Sequence, residues 1–398
     1  MSGTTRTAAP ASARPKTSAL VAVAPSDPLD PATFSGLSHR MFGQLAAQGV
    51  DVTPVATRDL RWHDALRGAV RPRAVLGRAA ADRRTPLVDP DWMWSRRGFD
   101  RLSDRLARRL AAIPTDVPVL QVGTQVDPGR AHPARRVFCI TDCTVVQALE
   151  ADEFSVSRAS PRIQQEAIDC QRQVFAACTR VLVLSDWVGR SVVDDYGVDP
   201  SGVIVVGAGA NLADPLPRRT DVDRPSVLLV GRDWEQKGGP LLLEAFRLAR
   251  RRVPTAQLVV VGCTPPLEAE PGVEVVGVLD LSDPAGDAHL RRLYAEATCF
   301  ALLSRFDAFP NVLLEAGVSG LPVVSTDTGS RAEAVVDGVT GRLVAGRDPG
   351  AVADALVSLL DDPGRAAAMG RAGTARVAEL FTWPVVGRRV LDALEVPC

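Results

Sequence analysis

The stretch SRFDAFPNVLLEAGVSGLPVVSTDTGSRAE, residues 304–333, combines a tight turn, the start of an apolar helix and a following apolar strand. Two acids in it, Asp307 and Glu315, stand eight positions apart on either side of the helix start. Pro310 suits the first helical turn, where its missing N–H group costs nothing. A helix start leaves backbone N–H groups available for an anion or a hydroxyl group. Here these groups belong to Phe309, Asn311 and Val312.

The second acid of this stretch, Glu315, is predicted to lie in the second helical turn beside Leu313, Leu314 and Ala316. A carboxylate among apolar side chains is unfavourable unless a polar group pairs with it. A sugar or a ribose would supply hydroxyl groups for that pairing. Together with Asp307 in the preceding loop, Glu315 therefore indicates a polyol-binding site.

Outward from this stretch, short apolar strands alternate with helices, which predicts an α/β fold of doubly wound parallel sheets covered on both faces. Two such sets predict a ligand cleft between two domains, at the carboxyl ends of the strands. The last helix is expected to pack back toward the first domain. The predicted parts are a disordered tail at 1–17, a first Rossmann-like domain at 18–206, a linker at 207–225, a second Rossmann-like domain at 226–380 and a closing helix at 381–398.

The composition is that of an ordinary soluble globular protein, with 46% hydrophobic and 23% charged residues. A formal net charge of −1 gives no general attraction to nucleic acid, so no nucleic-acid partner is predicted. The seven cysteines include no CxxC pair and no matching histidine set, so no metal site is predicted. No apolar run approaches the roughly 20 residues that span a bilayer, and a cytoplasmic location is predicted.

The loop GRDWEQKGG, residues 231–239, carries Arg232 and Lys237 between a predicted strand and a predicted helix. Lysine is rare in this chain, and the other lysine, Lys16, falls in the predicted tail. A guanidinium, an ammonium and a helix N-terminus together form a suitable site for a diphosphate. A solvated loop with ion pairs to neighbouring acids is the alternative.

Other predicted strand ends offer further candidates for ligand contact. Cys263, in the loop GCTPP, could pack against a planar base, although the same residues form ordinary turns. Ser35 and Gly36 open a helix of the first domain, where a glycine lets a ligand approach the backbone; packing or capping is the alternative. Asp142, in CITDCT, ends a strand and would face the cleft of a parallel sheet. By contrast, Gly338–Gly341 is interpreted as a plain turn.

The segment 91–113 places Trp92, Met93 and Trp94 before an arginine-rich amphipathic helix. One helical stripe is apolar, and arginines spread over the remaining surface. This pattern fits weak peripheral contact with the inner face of a membrane. A helix packed on its own sheet with a solvated basic face is the commoner explanation of such a pattern.

These residues resemble the retaining glycosyltransferases of family 4, also called group 1, which have the GT-B fold of two Rossmann-like domains facing an interdomain cleft. The resemblance extends from about Val181 to the C-terminus, in the expected order and spacing. It rests on the segments LSDW, DYGV, VIVVGAGAN, VGRDWEQKGG, FPNVLLEAGVSGLPVVSTDTGS and FTWPVVGRRVL. The N-terminal half matches loosely, chiefly at Ser35-Gly36 and near Asp142.

The resemblance implies that 226–380 is the nucleotide-sugar-binding domain and that 18–206 is the acceptor-side domain. It also implies a role for each candidate residue in binding the donor. Arg232 and Lys237 would hold its diphosphate and stabilise that group as it departs. Asp307, the first acid of the family's E-x7-E motif, would contact the donor sugar, as would backbone amides of 308–311. Glu315, the second acid, would bind the ribose hydroxyls. The other donor contacts are predicted at Ser35, Gly36, Cys263, Ala308, Phe309, Pro310, Asn311 and Val312.

Two positions depart from the family pattern. The first acid is usually Glu, and Asp307 is shorter by one carbon–carbon bond, about 1.5 Å. A different donor preference is therefore predicted. The family's frequent first-domain histidine has no clear match, and Asp142 is predicted to stand in its place among the catalytic residues.

The resemblance implies retaining, metal-independent transfer of a sugar from a nucleotide-diphospho sugar, such as a UDP-sugar, to a hydroxyl acceptor. A small-molecule acceptor is the leading hypothesis, and no cofactor is predicted. One alternative moves the acceptor to a lipid-linked or cell-envelope glycan, with segment 91–113 touching the membrane. Another, prompted by Asp307, is a non-catalytic GT-B chain that binds a sugar nucleotide and supports a partner enzyme.

Overall fold

The computed structural model describes residues 19–31, 33–57, 90–152, 155–212, 215–218, 224–267 and 269–394. The predicted tail at 1–17 and parts of the predicted linker lie outside these residues. The described part contains two six-stranded parallel sheets, which confirms the predicted α/β fold. The strands of the first sheet are β1 (Ala19–Ala24), β2 (Asp51–Ala56), β3 (Val119–Val122), β4 (Val137–Thr141), β5 (Arg180–Val183) and β6 (Val203–Val205).

The second sheet starts afresh after the linker and repeats the same architecture. Its strands are β7 (Ser226–Val230), β8 (Gln257–Val261), β9 (Val273–Gly277), β10 (Cys299–Leu302), β11 (Val323–Thr326) and β12 (Gly341–Val344). The order is β2-β1-β3-β4-β5-β6 in the first sheet and β12-β11-β10-β7-β8-β9 in the second. In each sheet the strand order changes direction beside the strand that comes first in the chain, which is β1 in the first sheet and β7 in the second. Each sheet therefore has a switch point at which a ligand crevice can form.

Helices cover both faces of each sheet. Those of the first domain are α1 (Leu37–Ala47), α2 (Pro90–Trp94), α3 (Arg96–Leu110), α4 (Val145–Ala151), α5 (Pro161–Ala177) and α6 (Asp186–Asp194). Those that follow are α7 (Gly239–Arg252), α8 (Pro284–Glu296), α9 (Asn311–Val318), α10 (Arg331–Ala334), α11 (Pro349–Leu360), α12 (Pro363–Leu380) and α13 (Trp383–Leu394). Strands β3 and β4 are buried along their whole length, as expected when helices cover both faces.

The closing helix α13 packs on the first domain although it follows the second. A Cβ at Gly387 would lie 2.8 Å from Gln44 Cγ of α1, so the two helices approach closely. Arg136, before β4, donates through Nη1 to the carbonyl of Leu394 at 2.9 Å. Arg389 donates to the carbonyl of Val206 at 3.3 Å, just after β6. Helix α13 therefore ties the two domains together on the side of the linker.

Three elements of the structure were not predicted: strand β12, helix α4 and the short helix α2. Strand β12 begins at Gly341, inside the segment interpreted as a plain turn, and it pairs with β11. A Cβ at Gly341 would meet the Val323 carbonyl oxygen at 2.1 Å, so glycine is required by strand pairing rather than by a turn. Helix α4 was missed because it is short. Its N-cap Thr144 and Gln147 form a capping box that holds its first turn.

The arginine-rich segment forms α3, whose apolar stripe packs inward as predicted. Trp92 packs beside the core that α3 forms with β1, and Trp94 donates through Nε1 to Ser155 Oγ at 3.0 Å. Both indoles are therefore half-buried in the packing of the first domain rather than exposed. Arg97, Arg101 and Arg108 remain exposed. In the described part of the chain, no helix is long and apolar enough to cross a membrane.

Candidate functional site

The loop after β7 and the loop after β10 meet at the carboxyl edge of the second sheet. Gly238, the residue before α7, makes this approach possible with a φ of 75°. A Cβ there would lie 2.1 Å from the carbonyl oxygen of Leu303, which directly follows β10. The Leu303 amide in turn donates to the carbonyl of Lys237 at 3.3 Å. The backbone thus brings Lys237 next to the segment 304–333.

We expect Gly238→Ala to lower the free energy of unfolding by about 1–3 kcal/mol, because alanine at a left-handed φ is strained. The close carbonyl of Leu303 adds to that strain. Gly43→Ala is the matched control, since a Cβ at Gly43 of α1 meets nothing within 4 Å. Alanine inside an open helical position is expected to stabilise by about 0.5–1 kcal/mol. Denaturant unfolding measures both variants, and equal stabilities would contradict the packing described for Gly238.

The Lys237 ammonium forms an ion pair with Asp307, with 2.5 Å between Nζ and Oδ2. The two side chains expose only 20% and 17% of their surface, so the pair is sheltered from water. It joins the loop predicted to bind diphosphate to the first acid predicted to contact the donor sugar. A negative diphosphate at this place would share the ammonium with Asp307, which couples the two predicted contacts electrostatically.

Glu315, on the second turn of α9, has a protein partner that the sequence did not reveal. Tyr294 of α8 is fully buried and donates through its hydroxyl to Glu315 Oε2 at 3.1 Å. Burial raises the pKa of Glu315 above its usual range, against the hydrogen bond of Tyr294 and the charge of Arg40. Burial and the Glu315 charge likewise raise the pKa of Tyr294, so its hydroxyl keeps the proton that it donates. This bond leaves Oε1 as the oxygen available to a ligand.

Helix α9 begins at Asn311. Pro310 is its N-cap and so lies one position before the first helical turn, in which it was predicted. The first N–H groups of the helix have no partner within it, because no turn precedes them. Asn311 also carries a buried side-chain oxygen, Oδ1, with no hydrogen-bond donor among the described residues. Buried acceptors are normally satisfied, so a ligand donor is expected at this position. The neighbouring side chains of Ala308, Phe309 and Pro310 are buried and Val312 is half-buried, so contact there would come mainly from the backbone.

Asp142 directly follows β4 of the first domain and lies close to Asp307 of the second. Burial, and to a smaller extent the negative charge of Asp307, raise the pKa of Asp142 to about 6. The charge of an acid in the second domain thus acts on an acid in the first. That arrangement is typical of functional sites, where charges are held in environments that shift their pKa.

This raised pKa predicts a measurable pH dependence. A carboxyl group with a folded-state pKa above its unfolded value binds protons more tightly in the folded protein, so its contribution to stability falls as pH rises. As the pH rises from the ordinary pKa of 3.8 to about 6, wild type should therefore lose stability relative to Asp142→Asn. The difference in stability between the two proteins should level off above that range. Chemical denaturation at pH 4 to 7 tests this, and parallel curves for the two proteins would contradict it.

Two further predicted donor contacts lie near the loop that carries Lys237. Arg232 follows β7 and is exposed. Cys263 follows β8 and is buried, and burial raises the pKa of its thiol. A Cβ at Gly262 would meet the Gly231 carbonyl oxygen at 2.7 Å, so the loops after β7 and β8 are in contact. The structure therefore brings Arg232 and Cys263 to one edge of the second sheet.

The first-domain candidates Ser35 and Gly36 precede α1. Gly36 adopts a φ of 86° at the N-cap of that helix, so a glycine is required here by backbone conformation. The side chain of Ser35 lies outside the described part of the structure. One turn further along α1, Arg40 is near enough to Glu315 for its charge to oppose the rise of that group's pKa. Helix α1 thus faces the second domain near Glu315.

A contact between the domains was missed entirely. The carboxylate of Glu333 in α10 accepts hydrogen bonds from the backbone amides of Asp186 and Trp187, at 2.8 and 3.0 Å, and so caps α6 from the other domain. The rings of Trp187 and Phe306 meet edge to face, with centroids 5.6 Å apart. No local sequence pattern identifies a helix cap that a distant segment supplies, so this role of Glu333 was not predicted.

Arg331 is the other residue that sequence reasoning overlooked. Its side chain is buried, with an exposed fraction of only 1%. It donates to the Ser304 carbonyl at 3.0 Å, to Ser304 Oγ at 2.7 Å and to the Thr328 carbonyl at 3.0 Å. These bonds hold together the two loops that follow β10 and β11. In an arginine-rich chain nothing marked this arginine as different from its surface counterparts.

Comparison with known proteins shows what the part of the chain around the second sheet is similar to. Residues 224–362 match the glycosyl transferases group 1 family. The chain is 35% identical over 243 residues to a D-inositol 3-phosphate glycosyltransferase of Frankia alni, covering 56% of this chain and 60% of that relative. It is 36% identical over 185 residues to a GDP-mannose-dependent alpha-(1-6)-phosphatidylinositol monomannoside mannosyltransferase of Mycolicibacterium smegmatis, covering 43% of this chain and 48% of the relative.

The match thus spans about half to three-fifths of the length of these relatives. Among solved structures, the sucrose-phosphate synthase of Thermosynechococcus elongatus has the same fold, with a TM-score of 0.67 and 19% identity. That likeness covers 94% of this chain and 98% of the other. The two parallel sheets therefore form the GT-B architecture.

Proposed function

We propose, from the match of residues 224–362 to the group 1 glycosyltransferases, that the chain transfers a sugar from a nucleotide-diphospho sugar to a hydroxyl group of a small acceptor. The observation that carries the proposal is the ion pair of Lys237 with Asp307. It puts the predicted diphosphate contact and the predicted sugar contact at one point in the cleft. The nucleotide donor is supported by the GDP-mannose in the name of one relative.

In the proposed reaction, the acceptor hydroxyl oxygen forms a bond to the anomeric carbon of the donor. The bond between that carbon and the diphosphate oxygen breaks, and its electron pair leaves with the diphosphate. The acceptor proton moves to the departing diphosphate, whose charge Lys237 and Arg232 stabilise. Attack on the face that the diphosphate leaves retains the anomeric configuration. Glu315 holds the ribose, and Asp142 and Asp307 orient the donor sugar.

Purified full-length chain, incubated with UDP-glucose, GDP-mannose and other nucleotide sugars plus a panel of polyols, tests this proposal. We expect release of the nucleoside diphosphate that depends on the acceptor. The NMR signal of the product's anomeric proton should report the donor's configuration. An inverted product would contradict the retaining mechanism. Donor binding without any turnover would instead support the non-catalytic GT-B alternative.

We propose that transfer needs no metal ion, because Lys237 and Arg232 supply positive charge for the diphosphate. No cluster of three or more metal-ligating side chains occurs in the part of the chain that the structure describes. Addition of EDTA is therefore expected to change the transfer rate by less than about twofold, or 0.4 kcal/mol in barrier height. A loss of activity that magnesium or manganese restores would contradict this.

A membrane-bound acceptor is the second candidate, favoured by the exposed arginines of α3 and by the phosphatidylinositol monomannoside in one relative's name. Arg109 is a poor probe because it donates to the carbonyl of Ala56. Replacing the exposed Arg97, Arg101 and Arg108 by glutamate tests the surface without removing that contact. Co-sedimentation of wild type with phosphatidylglycerol vesicles that the triple variant loses would support this candidate. Absence of wild-type binding would count against it.

A further inference from the structure

A cavity of about 190 Å³ opens between the two domains beside Asp307. Helix α4 and Trp187 form its first-domain wall, and the loops around 305–307 and 328–331 form the opposite wall. Its volume is below the roughly 300–1,000 Å³ typical of pockets for drug-sized ligands, so it suits one ring rather than an extended chain. Its position beside the sugar-contacting acid leaves room for a second substrate next to the donor.

The cavity combines aromatic and hydrogen-bonding side chains. Trp187 and Phe306 line it from opposite domains, and both are only half-buried. The C–H groups of a saturated polyol ring carry partial positive charge and fit against the negative face of an aromatic ring. Glu150, Arg305 and Thr328 are exposed at the same cavity and can bond hydroxyl groups. A ring that is apolar on its faces and hydroxylated at its edge matches both features.

The charges of the cavity favour a neutral occupant. The Arg331 guanidinium is occupied by Ser304 and Thr328 beneath the loops. Asp307 is already paired with Lys237. The exposed charges left at the cavity are therefore those of Glu150 and Arg305, which are opposite in sign. A phosphate group would gain one guanidinium but would lie near a carboxylate of the same charge, which is unfavourable.

We propose that this cavity is the acceptor subsite and that it selects an unphosphorylated, polyhydroxylated single ring, such as a monosaccharide or a cyclitol. The inference rests on the proposed transferase function. The acceptor's attacking hydroxyl would enter beside Asp307, and its remaining hydroxyls would bond Glu150 and Arg305. Both residues act here by binding the acceptor, so replacing them should leave the donor site intact.

Saturation-transfer NMR of the full chain, with UDP or GDP present, tests binding without requiring turnover. The probes are glucose and myo-inositol, each compared with its monophosphate. We expect contact with the unphosphorylated rings in wild type and at least fivefold weaker binding in Glu150→Gln and in Arg305→Gln. Glu379→Gln and Arg251→Gln, exposed and outside the cavity, are the matched controls.

Equal binding in wild type and both cavity variants, or no binding of either neutral ring, would overturn the subsite. Tighter binding of the monophosphates would overturn its selectivity. The kinetic counterpart is a raised acceptor KM in both variants with an unchanged KM for the donor. The neutral rings could bind to the chain while no nucleotide sugar binds or is turned over. That result would support the ring-binding cavity and contradict the proposed function alone.

Discussion

Lys237→Ala is expected to reduce transfer at least about tenfold, equivalent to 1.4 kcal/mol in the activation barrier. The substitution removes the ammonium that would stabilise the departing diphosphate. It also leaves the sheltered Asp307 carboxylate without its partner, and the loss of one member of such a pair costs more than the pair contributes. Initial rates with saturating acceptor, over a range of donor concentrations, measure the change.

A double-mutant cycle separates these two effects. Because Lys237 and Asp307 are in contact, Lys237→Ala and Asp307→Asn are expected to be non-additive, with the double variant less impaired than the sum of the single variants. Arg251→Ala, exposed on the last turn of α7, which follows the loop of Lys237, is the matched control for loss of a cation. A wild-type transfer rate in Lys237→Ala would contradict the role of this lysine in stabilising the diphosphate.

Glu315→Ala is likewise expected to reduce transfer at least about tenfold, or 1.4 kcal/mol, mainly through weaker donor binding. The truncation removes the acceptor proposed for the ribose hydroxyls and leaves the buried Tyr294 hydroxyl unpaired. An orphaned buried hydroxyl also costs about 1–3 kcal/mol in stability. Donor titration by calorimetry and denaturant unfolding measure the two consequences separately.

Tyr294→Phe distinguishes binding from stability at this position. It removes the hydrogen bond to Glu315 Oε2 but keeps the ring, which stacks on Phe300 at 6.0 Å. Because this bond opposes the raised pKa of Glu315, its loss should raise that pKa further and shift the donor-binding pH profile upward. Glu379→Ala, exposed on α12, controls for loss of a carboxylate. Donor affinity at the wild-type level in Glu315→Ala would contradict the ribose contact.

The architecture could be predicted because its signals are local. Strands β1 and β3 are apolar runs bounded by turns, and the structure forms a strand at each of these runs. Segment 304–333 likewise contains its own turn, helix start and following strand. Strand β12 escaped prediction because it is short and starts at Gly341, where a glycine resembles a turn residue until its close neighbour Val323 is known.

The candidate residues that could be predicted from the sequence are mainly those in the loops that follow predicted strands. Its supporting contacts join segments far apart in sequence. Tyr294 and Glu315 are 21 residues apart, and Trp187 and Glu333 are 146 apart. No periodicity or spacing identifies such a partner, because the fold alone brings the two segments together. For the same reason, neither the buried role of Arg331 nor the interdomain cavity could be predicted from the sequence.

Calorimetric titration of nucleoside diphosphates against the full chain tests the central claim most directly. We expect at least one of UDP, GDP and ADP to bind to wild type and the corresponding nucleoside monophosphate to bind more weakly. Both Lys237→Ala and Glu315→Ala should lose affinity at least about tenfold, or 1.4 kcal/mol. Binding of no diphosphate by wild type, or equal affinity in wild type and both variants, would contradict it.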